Sequence, residues 1–172
     1  MKKVIGKLLL ASVLSIMLVS GASAADMASF KKMTKNTIRQ AISGSISDID
    51  KLIATQVKML DIGVQGCKEY AKKSPKDAKI MNLVVQNAEK MKAMTLDEIE
   101  DAWHEGGVLK KNGIDFDKID HMGAALSHMD TVVHPATTYI ALKEYKKTKD
   151  EDLLDQVKDE LSEVLEHLDH IK

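Results

Sequence analysis

The feature that most constrains the fold is a run of apolar residues spaced alternately by three and four positions. Its members are Ile119, Met122, Leu126, Met129, Val133, Ala136 and Ile140. This spacing places all seven on one face of an α-helix, as in the core stripe of a helical bundle. The alternation of apolar and polar residues that marks a half-buried strand is not found in the chain. The sequence therefore predicts an all-α fold.

The stripe lies in one predicted helix, and three other segments repeat the helical period. Four helical legs are therefore expected, at residues 46–73, 75–105, 116–146 and 151–171. Short connections favour antiparallel neighbours, which predicts an up-down-up-down four-helix bundle. Residues 26–43 should form an extra N-terminal helical segment. In the first leg, the predicted inward face is Ile46, Ile49, Ile53, Val57, Leu60, Val64, Cys67 and Ala71.

Local sequence signals mark where these helices begin and where one is interrupted. Residues 74–77 (Ser-Pro-Lys-Asp) are typical of an N-cap followed by proline at the first helical position. Residues 95–98 and 148–151 both begin with threonine and end with glutamate, the spacing of a capping box. Pro135 is expected to kink or divide the 116–146 helix, because proline removes one helical hydrogen bond.

The first 24 residues have the architecture of a cleavable secretory signal peptide. A positive start, Met1-Lys2-Lys3, is followed by an apolar run from Leu8 to Val19 and by small residues up to Ala24. As a helix that run would span about 18 Å, well short of the hydrocarbon core of about 30 Å, so no permanent membrane anchor is expected. The prediction is export to a bacterial periplasm with cleavage after Ala24, which leaves 25–172 as a single helical domain.

Charge and cysteine content exclude several classes of partner and site. Without the first 24 residues the chain has 22 basic and 26 acidic residues, a net charge of −4. Nucleic-acid binding needs a basic surface and is therefore not expected. Cys67 is the single cysteine in the sequence. This excludes an intramolecular disulfide, covalent haem attachment through a CxxCH motif and a cysteine-rich zinc site.

All six histidines lie in the last 69 residues, and the predicted bundle gathers most of them toward one end. The candidate metal or haem ligands are His104, His121, His128, His167 and His170. Three glutamates stand four residues before a histidine and are candidates for outer hydrogen bonds to the imidazoles: Glu100, Glu163 and Glu166. His134 is expected to lie outside the site, because it points about 120° away from the face shared by His121 and His128.

Met122 and Met129 stand beside His121 and His128 and are candidate soft ligands. Thioether with imidazole suits copper(I) or a non-covalent b-type haem, whereas imidazole alone also suits zinc, nickel and copper(II). In size, export and bundle form the chain is similar to periplasmic four-helix-bundle haem proteins. The simpler alternatives are that the methionines fill the core and that the histidines are scattered over a solvated surface.

Two classes of function follow from these patterns. The first is a periplasmic carrier, buffer or electron carrier that binds a transition metal or haem through the histidine cluster. The second is a cofactor-free bundle that acts through protein–protein contacts, as a sensor, adaptor or stress-related protein. The histidine-bearing flank is equally a candidate homodimer face. Nucleophile-elbow, P-loop and dinucleotide motifs do not occur, so an enzyme is the less favoured class.

Overall fold

The protein is all-helical over the residues that the structure describes, as the sequence predicts. A computed structural model describes residues 24–44 and 46–171. The predicted leader, 1–24, lies outside these residues apart from the backbone of Ala24. The helices are α1 (Ala24–Ile42), α2 (Ile49–Lys73), α3 (Ala78–Met91), α4 (Leu96–Ile99), α5 (Gly107–Lys111), α6 (Ala124–Thr148) and α7 (Asp152–His167). Within the described ranges, no helix is both long enough and apolar enough to cross a membrane.

Three short turns of other helical types connect or extend these elements. A π-helical turn (Glu100–His104) directly follows α4, and 3-10 turns form at Phe116–Lys118 and Leu168–His170. The π-helical turn is the one that matters for the site, because it carries the first of the six histidines.

Helix α6 lies at the centre of the bundle. It packs against α2, α3 and α7, while α1 packs against α7 and α2. Every residue of α6 from Leu126 to Thr138 is buried, so the helix is enclosed around its whole circumference. The predicted core stripe is confirmed for the five members that lie in this helix: Leu126, Met129, Val133, Ala136 and Ile140. The N-terminal segment is part of the bundle, and the up-down-up-down order of the legs stays a prediction.

Helix α6 begins later than predicted, at Ala124, and it continues through Pro135 without dividing. Before it, the Met122 backbone N–H donates to Asp120 Oδ1 over 3.1 Å, and the Gly123 N–H donates to the Asp120 carbonyl over 2.8 Å. Such an aspartate-centred turn competes with the helix for the same backbone groups. The predicted stripe is therefore wrong at its start, and Met122 is 50% exposed.

Of the three predicted helix starts, only the capping box at Thr95–Glu98 forms, with both of its reciprocal hydrogen bonds. Ser74 instead ends α2 and donates from its hydroxyl to Asp77 Oδ2 over 2.6 Å, which holds a turn ahead of α3. The box at Thr148–Glu151 is absent from the described structure. Lys149 adopts a left-handed conformation with φ of 61° and ends α6 there.

The buried face of α2 is rotated from the predicted apolar stripe. It consists of Leu52, Gln56, Met59, Leu60, Gly63, Gly66 and Cys67. Two of these are glycines that face α6, at Thr131 and at His128. Helices pack most closely where a side chain is missing, so the glycines rather than the larger isoleucines and valines set the contact.

Candidate metal centre

Histidine and acidic side chains from three elements come together where α6 meets α7. They are His104 from the π-helical turn, Asp130 and His134 from α6, and Glu160, Glu163 and His167 from α7. Asp130 and His134 are one helical turn apart, as are Glu163 and His167, so each pair shares a helix face. The group carries three carboxylates and three imidazoles in a largely enclosed place.

Two imidazoles share one carboxylate oxygen at the centre of the group. Glu160 Oε2 lies 2.7 Å from His134 Nδ1 and 3.6 Å from His104 Nε2. The two imidazole rings meet edge to face, with their centroids 5.1 Å apart. One ligand atom from each of these three residues lies within 4.8 Å of the others. His104, His134 and Glu160 could therefore hold a metal ion.

The opposite ring nitrogen of His134 also faces carboxylates. His134 Nε2 is 3.9 Å from Asp130 Oδ1 and 3.9 Å from Glu163 Oε2. Asp130 Oδ2 is in turn hydrogen-bonded to His167 Nδ1. The His134 side chain is only 4% exposed, so both of its nitrogens meet protein groups.

The π-helical turn determines where His104 is placed. Its backbone bonds span five residues, as in the bond from the Glu105 N–H to the Glu100 carbonyl over 2.9 Å. Turns of this kind insert a residue into a helix and occur often at functional sites. Gly106 follows two residues after the turn; its φ is +70°, and its missing side chain leaves room for the Phe116 ring.

A threonine on α6 orients the His104 ring. Thr137 Oγ1 lies 3.1 Å from His104 Nε2 and donates its own proton to the Val133 carbonyl. The threonine oxygen must then accept, so Nε2 of His104 carries the proton. Metal binding at this nitrogen would displace that proton and the threonine contact with it.

The carboxylates change the protonation of two histidines. Burial lowers the pKa of His134, but the hydrogen bond with Glu160 and the charges of Asp130, Glu160 and Glu163 outweigh it and raise the pKa overall. The hydrogen bond with Asp130 raises the pKa of His167, against a smaller opposing effect of burial. The group therefore favours positive charge, either protons or a cation.

A cavity of about 150 Å³ adjoins the group. Its polar lining consists of His104, His121, Asp130, His134, Glu163 and His167, and its apolar lining consists of Trp103, Phe116, Leu126, Met129 and Val133. Trp103 is fully buried, and its indole N–H has no hydrogen-bond partner among the described residues. The cavity therefore has room for a small polar occupant next to the imidazoles.

The structure brings together some of the predicted ligands and separates others. His104 and His167 belong to the group, and His121 is exposed but lines the cavity. His128 lies on the other side of α6, with its ring stacked on Tyr70 at 4.5 Å. Burial, with a contribution from Lys73, lowers its pKa to about 4. His170 is in the 3-10 turn after α7 and contributes neither to the group nor to the cavity lining.

The candidate soft ligands and outer carboxylates divide in the same way. Met129 lines the cavity, whereas Met122 is exposed in the turn before α6. All three glutamates are exposed, but Glu163 Oε2 lies 3.9 Å from His134 Nε2, whereas Glu100 and Glu166 lie outside the group.

From the sequence, His134 was expected outside the site and Glu160 was not predicted. Asp130 stands four residues before His134, as Glu100, Glu163 and Glu166 stand before other histidines, but it was not among the predicted site residues. The predicted direction of His134 was calculated as a helical rotation from His121. His121 precedes α6 and is not in the same helix, so that rotation does not apply. The available signal was the pair Asp130 and His134, two polar residues four apart that each directly follow a member of the apolar stripe, Met129 and Val133. Whether the predicted histidines bind a ligand stays a prediction.

The chain matches no protein-family model, and comparisons with curated proteins and with solved structures gave no significant match. The fold and the site themselves define the class: a small helical protein with a His/Glu cluster that could hold a metal ion.

Proposed function

We propose that this protein is an exported metal carrier or buffer that binds one divalent transition metal ion through His104, His134 and Glu160. The observation that carries the proposal is the convergence of the three ligand atoms within 4.8 Å, at the junction of three separate elements. The three residues are 26 to 56 positions apart in the sequence, so the tertiary fold and not local chain geometry brings them together.

The ligand set favours zinc, copper(II) or nickel. Two imidazoles and a carboxylate are the protein ligands of many zinc sites with an open fourth position. Tetrahedral zinc with bonds of about 2.1 Å separates its ligand atoms by roughly 3.4 Å. The 3.6 Å between His104 Nε2 and Glu160 Oε2 already fits, and the 2.7 Å between His134 Nδ1 and Glu160 Oε2 needs a small opening.

The enclosed space favours a metal ion over haem. The cavity beside the histidines has a volume of about 150 Å³. Pockets for organic ligands of ordinary size measure about 300–1,000 Å³. A haem would have to displace core residues such as Trp103 and Val133, whereas an ion needs only a small movement of side chains.

Export remains part of the proposal and rests on the signal-peptide architecture of residues 1–24. A carrier or buffer in the periplasm needs a site that loads reversibly, and a three-ligand site with an open fourth coordination position meets that need. The intact mass of the protein from its native host should correspond to a chain that begins at Ala25. A retained Met1 would contradict export.

Zinc titration of the purified, untagged protein tests the site. Competition with a chromophoric chelator measures the affinity, and we expect the wild-type protein to bind zinc. The affinity should fall by at least about 100-fold in His104→Ala and in Glu160→Gln, because even outer partners of a metal ligand contribute 10–100-fold. Matched controls are His170→Ala and Glu166→Gln, which change the same residue types outside the group and should bind as the wild type does.

Unchanged zinc affinity in both site variants would refute the proposal. It would favour the second class of function, in which the His/Glu cluster only holds α6 to α7 in a cofactor-free bundle. Circular dichroism of each variant must show the wild-type helical spectrum, so that lost binding is not lost folding.

A further inference from the structure

Both ring nitrogens of His134 face carboxylates. Nδ1 meets Glu160 Oε2 at 2.7 Å, and Nε2 lies 3.9 Å from both Asp130 Oδ1 and Glu163 Oε2. Histidines that ligate one metal commonly direct the other nitrogen to a single orienting acceptor. Here, instead, the second nitrogen faces two carboxylates, and one of them, Asp130, is hydrogen-bonded to His167.

We propose that the protein binds a second divalent metal ion at Asp130, Glu163 and His167, and that His134 bridges the two ions as an imidazolate. This inference extends the proposed function, since His134 is shared by both positions. The first ion would take Nδ1 and the second Nε2. In forming the bridge, the imidazole releases the proton that it carries when neutral, and each metal–nitrogen bond uses one ring lone pair.

The formal charges of the group support two ions. Asp130, Glu160 and Glu163 contribute three negative charges, and a bridging imidazolate adds a fourth. Two divalent ions neutralise all four. Without the second ion, the charge of Asp130, whose side chain is only 8% exposed, is balanced by His167 when that imidazole is protonated. The second ion would take over this balancing role from the proton, as a buried carboxylate requires a paired positive charge.

The cavity lies where the second ion would be. Asp130, His134, Glu163 and His167 all line it, whereas Glu160 does not. The buried indole N–H of Trp103, which also lines the cavity, has no acceptor among the described residues. Water bound to the second ion would supply an oxygen acceptor within the same space. The two separations of 3.9 Å from Nε2 exceed the roughly 3.4 Å between the ligand atoms of a tetrahedral zinc ion, so binding would draw the exposed Glu163 side chain toward Asp130 and His167.

Zinc stoichiometry separates the two proposals. We expect two equivalents in the wild type and one in His167→Gln and in Glu163→Gln. The Glu163 side chain is 65% exposed, so its replacement should not disturb folding even if that of His167 does. His170→Gln and Glu166→Gln are the matched controls and should keep two. One equivalent in the wild type, lost in His104→Ala, would overturn the second site and leave the proposed function intact. No binding at all would overturn both.

Copper(II) tests the bridge itself. Two copper ions joined by an imidazolate couple antiferromagnetically, so the electron paramagnetic resonance signal should grow with the first equivalent and fall with the second. In His167→Gln the signal should grow with the first equivalent of copper and should not fall when a second is added. Two equivalents with the full, uncoupled signal in the wild type would overturn the bridging role of His134.

Discussion

Gly63 of α2 lies directly against the backbone carbonyl of Thr131 in α6. A β-carbon on Gly63 would stand 2.2 Å from that oxygen and 2.9 Å from Thr131 Oγ1. Pro135 has no N–H to donate to this carbonyl, as a regular helix residue would, so the oxygen is available to face α2. Real β-carbons essentially never lie closer than 3.0 Å to another heavy atom, so only glycine fits at this position without a shift of one of the helices. The pair therefore sets the spacing of α2 and α6.

Replacing Gly63 with alanine should destabilise the protein by about 1–3 kcal/mol, the usual effect of forcing an extra group into a packed core. Urea unfolding followed by circular dichroism measures it. Gly66→Ala is the control on the same helix, because its β-carbon would lie 3.4 Å from His128 Nδ1, an ordinary contact. Equal stability of the two variants would show that the Thr131 contact does not limit helix spacing.

The buried ring of His128 should make stability fall in acid. Its folded pKa of about 4 lies below the ordinary value of 6.5, so the unfolded chain takes up a proton first as the pH falls. The free energy of unfolding is therefore unaffected by the titration of His128 above pH 6.5 and falls by up to about 3 kcal/mol as the pH drops toward 4. In His128→Phe, which keeps a ring on Tyr70, the loss between pH 7 and 4.5 should be about 2–3 kcal/mol smaller. An unchanged pH dependence would contradict this.

Much of the fold could be predicted because the helical period depends on local spacing. The stripe from Leu126 to Ile140 and the capping box at Thr95 are examples. The start of α6 could not be predicted, because the apolar spacing continues through Ile119 and Met122, where the turn at Asp120 takes the backbone hydrogen bonds. The buried face of α2 could not be predicted either, because glycines carry no hydropathy signal.

The candidate site was only partly predictable, for a related reason. Spacing alone predicts a histidine cluster near one end of the bundle, and the structure places His104 and His167 together with His134; their role as ligands stays a prediction. His134 and Glu160 are 26 positions apart, and their contact depends on how α7 is rotated against α6. A helix buried on all sides has no polar face from which that rotation could be read.

Loss of the confirmed capping box should weaken the segment that carries His104. The Thr95 hydroxyl accepts from the Glu98 N–H over 3.2 Å at the start of α4, directly ahead of the π-helical turn. Thr95→Ala should cost about 1 kcal/mol in urea unfolding. Thr55→Ala is the control, because that exposed hydroxyl bonds only to a carbonyl within its own helix. Equal effects of the two changes would remove the special role of the cap.

Zinc and protons should compete for His134, which reverses the pH dependence of stability. Because the pKa values of His134 and His167 are raised in the folded protein, protonation of these rings stabilises the fold. This stabilisation is fully present below pH 6.5 and is lost as the pH rises through the raised pKa values. Zinc needs the unprotonated rings, so its affinity should start to fall at a pH above 6.5 as the solution is acidified. Free zinc at 100 times its dissociation constant stabilises by about 2.7 kcal/mol. Thermal unfolding at pH 6, 7 and 8 should show a zinc-induced rise in Tm that grows with pH, and Glu160→Gln should lose most of it. A rise in Tm that is the same at all three pH values would place the bound zinc away from His134, and an undiminished rise in Glu160→Gln would place it away from Glu160.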